Sequence, residues 1–286
     1  LAALTVGDKE ELSDDIVETY SVSGASHVLA LSGLHIGFLY ALLLFVLRPL
    51  WRRWRRLKPL LLLLLVLFLV SFAFFTGLSS SVVRSVVMFS LLAFAGLQPE
   101  KPLTLNTLAA TAFLMLLCKP VWLFDVGFQL SFSAVAAIVL VQPKLYAFWK
   151  VDNRFLRYLW GLMTVSMAAQ LGTAPLVIFY FSRFSTHFLL TNLWVIPMVS
   201  LVLYSAVFLL MLTPLPFVQH LFARVVEALV HVQNEVLRWI EHLPGAAVDD
   251  IWLDIWGVLL VYLFLGMAYY GFLRLTVRRV CLSLIH

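Results

Sequence analysis

The chain has 286 residues, 63% hydrophobic and 12% charged, with a formal net charge of +5 and a mean hydropathy of +0.99. Soluble domains carry roughly 45–50% apolar and about 25% charged residues. A water-soluble globule is therefore excluded, and several apolar stretches near the ~20 residues that cross a bilayer are expected. The two cysteines, Cys118 and Cys281, have no CxxC spacing and give no metal or redox signal.

In chain order, residues 1–26 read as a short extracytoplasmic, acidic lead-in, with Asp8, Glu10, Glu11, Asp14, Asp15 and Glu18 against Lys9 alone. Ser13 is the expected N-cap of a helix that begins at Asp14 and Asp15. Residues 27–286 read as one transmembrane domain. Its first span is expected over 27–47 and its second over 59–76. Between them Arg48, Arg52, Arg53, Arg55, Arg56 and Lys58 form a basic loop that stays cytoplasmic. A third span over 82–97 opens with Arg84, and a fourth runs from 103 until Lys119-Pro120 stops it. The fifth, 125–142, begins Asp125-Val-Gly-Phe-Gln-Leu-Ser131. The sixth, 158–181, holds Gln170 and Pro175, and the seventh, 187–213, holds Asn192 and Pro197.

Residues 217–243 differ from the rest. Polar side chains recur at His220, Arg224, Glu227, His231, Asn234, Arg238 and Glu241, in steps of three and four, with apolar ones between them. This is an amphipathic helix. It either lies in the interface or crosses with its polar stripe turned to water. A last span is expected over 252–273, ending in Arg274, Arg278 and Arg279. If both basic ends are cytoplasmic, parity slightly favours crossing. The fold class is an all-α polytopic transmembrane bundle of about eight spans plus one amphipathic helix.

The stretch Gly24 to Gly37 sets two histidines and two serines at the mouth of an apolar helix, and such groups are costly in hydrocarbon without partners or water. His27 and His35 are eight residues apart and off-phase on one helix, so they are no metal pair. Ser32 and His35 share a face. A Ser–His hydrolase is one alternative function, but no orienting third group can be named, and no residue is assigned a catalytic role. Glu227, His231 and Glu235 have spacing for a carboxylate–histidine–carboxylate metal site, but a solvated stripe explains them better, and no metal or cofactor is expected. Arg84 and Asp125, both at outer span ends, form a candidate structural polar pair. Pro175 and Pro197 are candidate helix breaks whose freed carbonyls would line a cavity. Paired breaks also leave a secondary transporter or ion channel for a small solute as an alternative.

Four motifs together resemble one family, the ComEC-type competence proteins of the DNA-uptake channel. They are His27-Val-Leu-Ala-Leu-Ser-Gly-Leu-His-Ile-Gly37, Thr76-Gly-Leu-Ser-Ser-Ser-Val-Val-Arg84, Asp125-Val-Gly-Phe-Gln-Leu-Ser-Phe132 and Asn192-Leu-Trp-Val-Ile-Pro197, joined by Gln170-Leu-Gly-Thr-Ala-Pro175. The departures are mild: Val28, Leu31, Ser80 and Val126 stand where the family often has Leu, Ile, Pro and Pro. The resemblance implies a bacterial inner-membrane channel passing single-stranded DNA into the cytoplasm during natural transformation. It also implies an OB-like domain before this region and a metallo-β-lactamase-like nuclease domain after it. The chain, which opens at Leu1 without a Met, therefore reads as a piece of a longer protein. It carries no His-x-His-x-Asp-His motif of its own, so no nuclease activity is expected of it. The implied partners are single-stranded DNA and the lipid bilayer. The DNA receptor, the cytoplasmic translocase and a second copy of the chain are further candidates. Ser32, His35, Arg84, Gln129, Gln170 and Asn192 are the expected lining of the DNA path, with Arg84 as its phosphate contact.

Overall fold

The computed structural model describes residues 13–29, 32–95, 104–214 and 216–283. The acids Asp8, Glu10 and Glu11, and the Ala30-Leu31 part of the first motif, lie outside them. Eleven α-helices are present among these residues: α1 (Asp14–Val22), α2 (Ser26–Leu29), α3 (Gly33–Arg53), α4 (Lys58–Phe75), α5 (Ser80–Ala95), α6 (Thr104–Cys118), α7 (Val126–Phe148), α8 (Arg154–Phe181), α9 (Phe188–Met211), α10 (Pro216–Glu241) and α11 (Ile255–Ser283). Five of them (α3, α4, α7, α8 and α9) are long and apolar enough to cross a membrane, and α5, α6 and α11 are shorter apolar helices. The described residues form an all-α polytopic bundle of eight apolar helices and one amphipathic helix, preceded by the short α1 and α2. The only strands among the described residues are β1 (Phe184–Ser185) and β2 (Ala247–Val248). They pair antiparallel, Phe184 opposite Val248.

Local chemistry explains where the helices stop and start. Asn153 caps α8, its side chain accepting from the N–H groups of Phe155 and Leu156, so α8 begins at 154 rather than 158. Ser182, at φ 53, closes the other end in the left-handed conformation. Helix α7 continues through Pro143 to Phe148, past the expected stop at 142. The first expected span, 27–47, is divided. His27 stands on the short α2, and a new helix starts at Gly33 with Ser32 as its N-cap.

Two apolar clusters organise the packing. Ile36, Leu62, Leu65, Leu69, Val82 and Val86 knit α3, α4 and α5 together. Tyr20, Val28, Leu29, Val195, Val199 and Leu237 join α1 and α2 to α9 and α10. Helix α10 runs back antiparallel along α9: Phe222 stacks edge-on with Phe208 at 5.0 Å, and Leu237 and Ile240 reach the Val195 and Val199 turns. Among the described glycines the closest packing is at Gly172 of α8, where an added Cβ would lie 2.5 Å from the Ser133 carbonyl oxygen and from Ala137 Cβ on α7.

A polar cluster where helix ends meet

The candidate site is built at one end of the bundle. Ser32 caps α3: its Oγ accepts the Leu34 N–H at 3.3 Å, and its own N–H donates to His35 Nδ1 at 3.3 Å. Oγ also stands 3.1 Å from Nδ1. The pair is a capping box with histidine in the place of Glu or Gln. This corrects the reading of the two as helical neighbours on one face, since Ser32 has extended backbone (φ −114, ψ 170). His35 is fully buried.

Arg84 of α5 lies against this cap. An added Cβ on Gly33 would fall 2.6 Å from Arg84 Nη2 and 2.8 Å from Ser85 Oγ, so glycine is what admits the guanidinium. Nη2 donates to Ser85 Oγ at 3.0 Å, and Nε is enclosed without a hydrogen-bond partner. The side chain is 5% exposed. Among the described residues no carboxylate comes within ion-pair distance of it. Arg84 and Asp125 are therefore not a pair. The Asp125 carboxylate is engaged as the N-cap of α7, accepting the Phe128 N–H at 2.8 Å, and it accepts the Ser80 hydroxyl at 2.5 Å. Capping an orphan N–H of its own helix is a stronger local demand on that carboxylate than a distant guanidinium. The first turn of α3, a partial positive charge, thus meets a buried cation on α5, while the first turn of α7 packs on the start of α5 through Gly127 and Ser80.

The remaining candidates are distributed around this cluster. Gln129 bridges two helices, donating to the Leu123 carbonyl at 3.0 Å and accepting from Tyr180 Oη at 2.7 Å. Asn192 follows Thr191, whose hydroxyl donates to the Ser23 carbonyl at 2.7 Å, and its Oδ1 is enclosed without a partner. Gln170 stands apart. It lines an apolar cavity of about 340 Å³ between α8, α9 and α11 together with Pro175, Phe188 and Val261. Pro175 lies inside α8 and Pro197 inside α9. Helix α8 continues through Pro175, which has no N–H to offer the Leu171 carbonyl; one residue on, the Gly172 carbonyl accepts Tyr262 Oη of α11 at 2.7 Å. Among the described residues no three His, Cys, Asp or Glu side chains gather as metal ligands. The trio on α10 stays open: His231 Nδ1 is 3.8 Å from Glu235, which is also held by Arg238.

Sequence reasoning missed several members of the site. Gly33 and Ser80 stood inside recognised motifs, and Ser85 directly after one, without a role. Tyr20 was also missed: its hydroxyl donates to Asn234 Oδ1 at 2.9 Å and accepts from the fully buried Gln233 Nε2 at 3.0 Å. One signal was present, since Gln233 interrupts the apolar arc of α10 where a packed residue belongs.

The helix lengths and this end-cluster define a polytopic membrane protein of the helical class. The chain belongs to the Competence protein family, whose model matches residues 4–275. It is 31% identical over 195 residues to ComE operon protein 3 of Bacillus subtilis (strain 168), covering 68% of this chain and 24% of that protein. It is 24% identical over 211 residues to Recombination protein 2 of Haemophilus influenzae (strain ATCC 51907 / DSM 11121 / KW20 / Rd), covering 71% of this chain and 27% of that one. The chain thus spans about a quarter of the length of the curated relatives it matches. No solved structure matches it.

Proposed function

We propose that the chain is the membrane portion of a conduit that carries single-stranded DNA into the bacterial cytoplasm during natural transformation. The observation that carries this reading is Arg84, a buried guanidinium seated on the first turn of α3 with no carboxylate beside it. A buried, uncompensated cation is costly, and a phosphodiester is the counter-charge a nucleic acid supplies once per nucleotide. Ser32, His35, Gln129 and Asn192 belong to the same end of the bundle and would meet the strand there. Gln170 would meet it deeper, beside Pro175. Reaching Arg84 requires the α3 cap to shift, which Gly33 permits because it has no side chain to interlock. The partners are the DNA strand, the bilayer, the receptor that delivers DNA and the translocase that pulls it. A second copy of the chain is a further candidate.

Arg84→Gln and His35→Leu in the full-length protein should each lower transformation at least tenfold at unchanged membrane abundance. Arg84→Lys should restore part of the loss in the first. Wild-type DNA uptake in both Arg84→Gln and His35→Leu would refute the assignment.

A further inference from the structure

Helix α10 carries three kinds of surface. At 100° per residue, its packed side chains Val226, Leu229, Val230, Gln233, Leu237 and Ile240 occupy one sector, against α9 and α1. A second sector, about 80° wide, holds His220, Arg224, Glu227, His231, Glu235 and Arg238, all exposed. The third holds Phe217, Val218, Leu221, Val225, Val232 and Trp239, also exposed and without a charge among them. A helix lying flat in the interface needs only two sectors, one apolar in lipid and one polar in water. Here the packing sector is supplied by α9, and an exposed apolar sector remains in addition.

That remaining sector is bounded by Phe217 and Trp239, 84% and 61% exposed. They are 22 residues apart, roughly 33 Å of helix, against a hydrocarbon thickness of about 30 Å. Helix α9, along which α10 runs antiparallel, is itself apolar enough to span over Phe188–Leu209. In such a position Arg224 and Glu227 fall near mid-depth. Among the described residues neither makes an ion pair. Facing lipid, each would cost about 2.5–3.5 kcal/mol, so their sector has to meet water.

We infer that α10 crosses the membrane beside α9 as a wall helix, with its apolar sector in lipid and its polar sector wetted by the aqueous path. That the path's cargo is an anionic DNA strand rests on the function proposed above; the wetted wall does not. Arg224, between His220 and Glu227 in this sector, is the cation this wall offers a phosphate.

Single substitutions in the full-length protein, with Cys118, Cys281 and every cysteine outside these 286 residues replaced by Ser, test the inference in intact membranes with a membrane-impermeant thiol reagent. His220→Cys, Arg224→Cys, Glu227→Cys and His231→Cys should react at least tenfold faster than Leu221→Cys, Val225→Cys and Val232→Cys at the same depths. Leu237→Cys should react only after denaturation. Reaction at one end alone, or equal rates round the helix, would overturn the crossing wall. Added oligothymidine should slow labelling at Arg224→Cys. Fast labelling without that protection keeps the wall and removes DNA as its cargo.

Discussion

Gly172→Ala isolates the contact that sets the α7–α8 spacing. The added methyl would sit 2.5 Å from a backbone oxygen and from the Ala137 methyl, where carbon atoms at rest keep about 3.5–4.0 Å. The helices must part by about 1 Å, and neither obstacle can rotate away. Overpacking of this kind costs about 1–3 kcal/mol. At about 2–4 °C per kcal/mol for a chain of comparable size, the melting temperature should drop by about 2–12 °C. Parting also stretches the 2.7 Å bond from Tyr262 to the Gly172 carbonyl. The assay is thermal unfolding of the full-length protein in detergent, followed by tryptophan fluorescence. Gly33→Ala is the matched control. Its methyl meets only the tips of Arg84 and Ser85, which can swing aside, so its loss should be smaller. A Gly172→Ala protein that melts with the parent, or a Gly33→Ala protein that melts lower than it, would refute the reasoning.

Tyr20→Phe leaves the buried Gln233 amide unsatisfied and should destabilise by about 1–3 kcal/mol, read as a melting shift. Burial pushes the Tyr20 phenol up to about 12, against a smaller opposing pull from the Gln233 hydrogen bond. The folded value is raised, so its contribution is intact below pH 10 and is lost as pH climbs from about 10 to 12. Tyr20→Phe should abolish that part of the alkaline loss, and an identical pH profile would contradict it. Arg183 binds Glu18 at 2.9 Å and also Asp249, clasping α1 to the loop before α11. Because all three groups are partly solvated, Arg183→Ala should cost only about 1 kcal/mol or less. The difference should shrink in high salt, and a salt-independent melting difference would argue against an ionic origin.

Hydropathy located the helices well because their ends carry strong local chemistry. Residues 59–76 and 103–118 were expected, and Lys58–Phe75 and Thr104–Cys118 are found; Pro59 and Lys119-Pro120 mark those limits in the sequence itself. The break before Gly33 escaped notice because Ser32 and His35 sit within an apolar run, and a histidine is an unusual third-position capping residue. Asp125 was assigned to Arg84 because charge sign is legible in sequence while competition is not. Its nearest demand was its own helix N-terminus, which outweighs a partner on another helix. Which face of α10 packs was not legible in the sequence either, and only the seating of Leu237 and Ile240 against α9 shows it.

The bond between Tyr20 and Gln233 joins residues 213 apart in the chain. At about 5–20 residues per second, Tyr20 leaves the ribosome roughly 10–40 s before its partner exists. Helix α1, the earliest described segment to be synthesised, therefore finds its place among the last. Until α10 arrives, the phenol and the acids of α1 stay in water, and the apolar faces of α2 and α9 have no lid. Insertion of the middle helices proceeds without this clasp, and this end of the bundle closes after the helices beneath it are laid down.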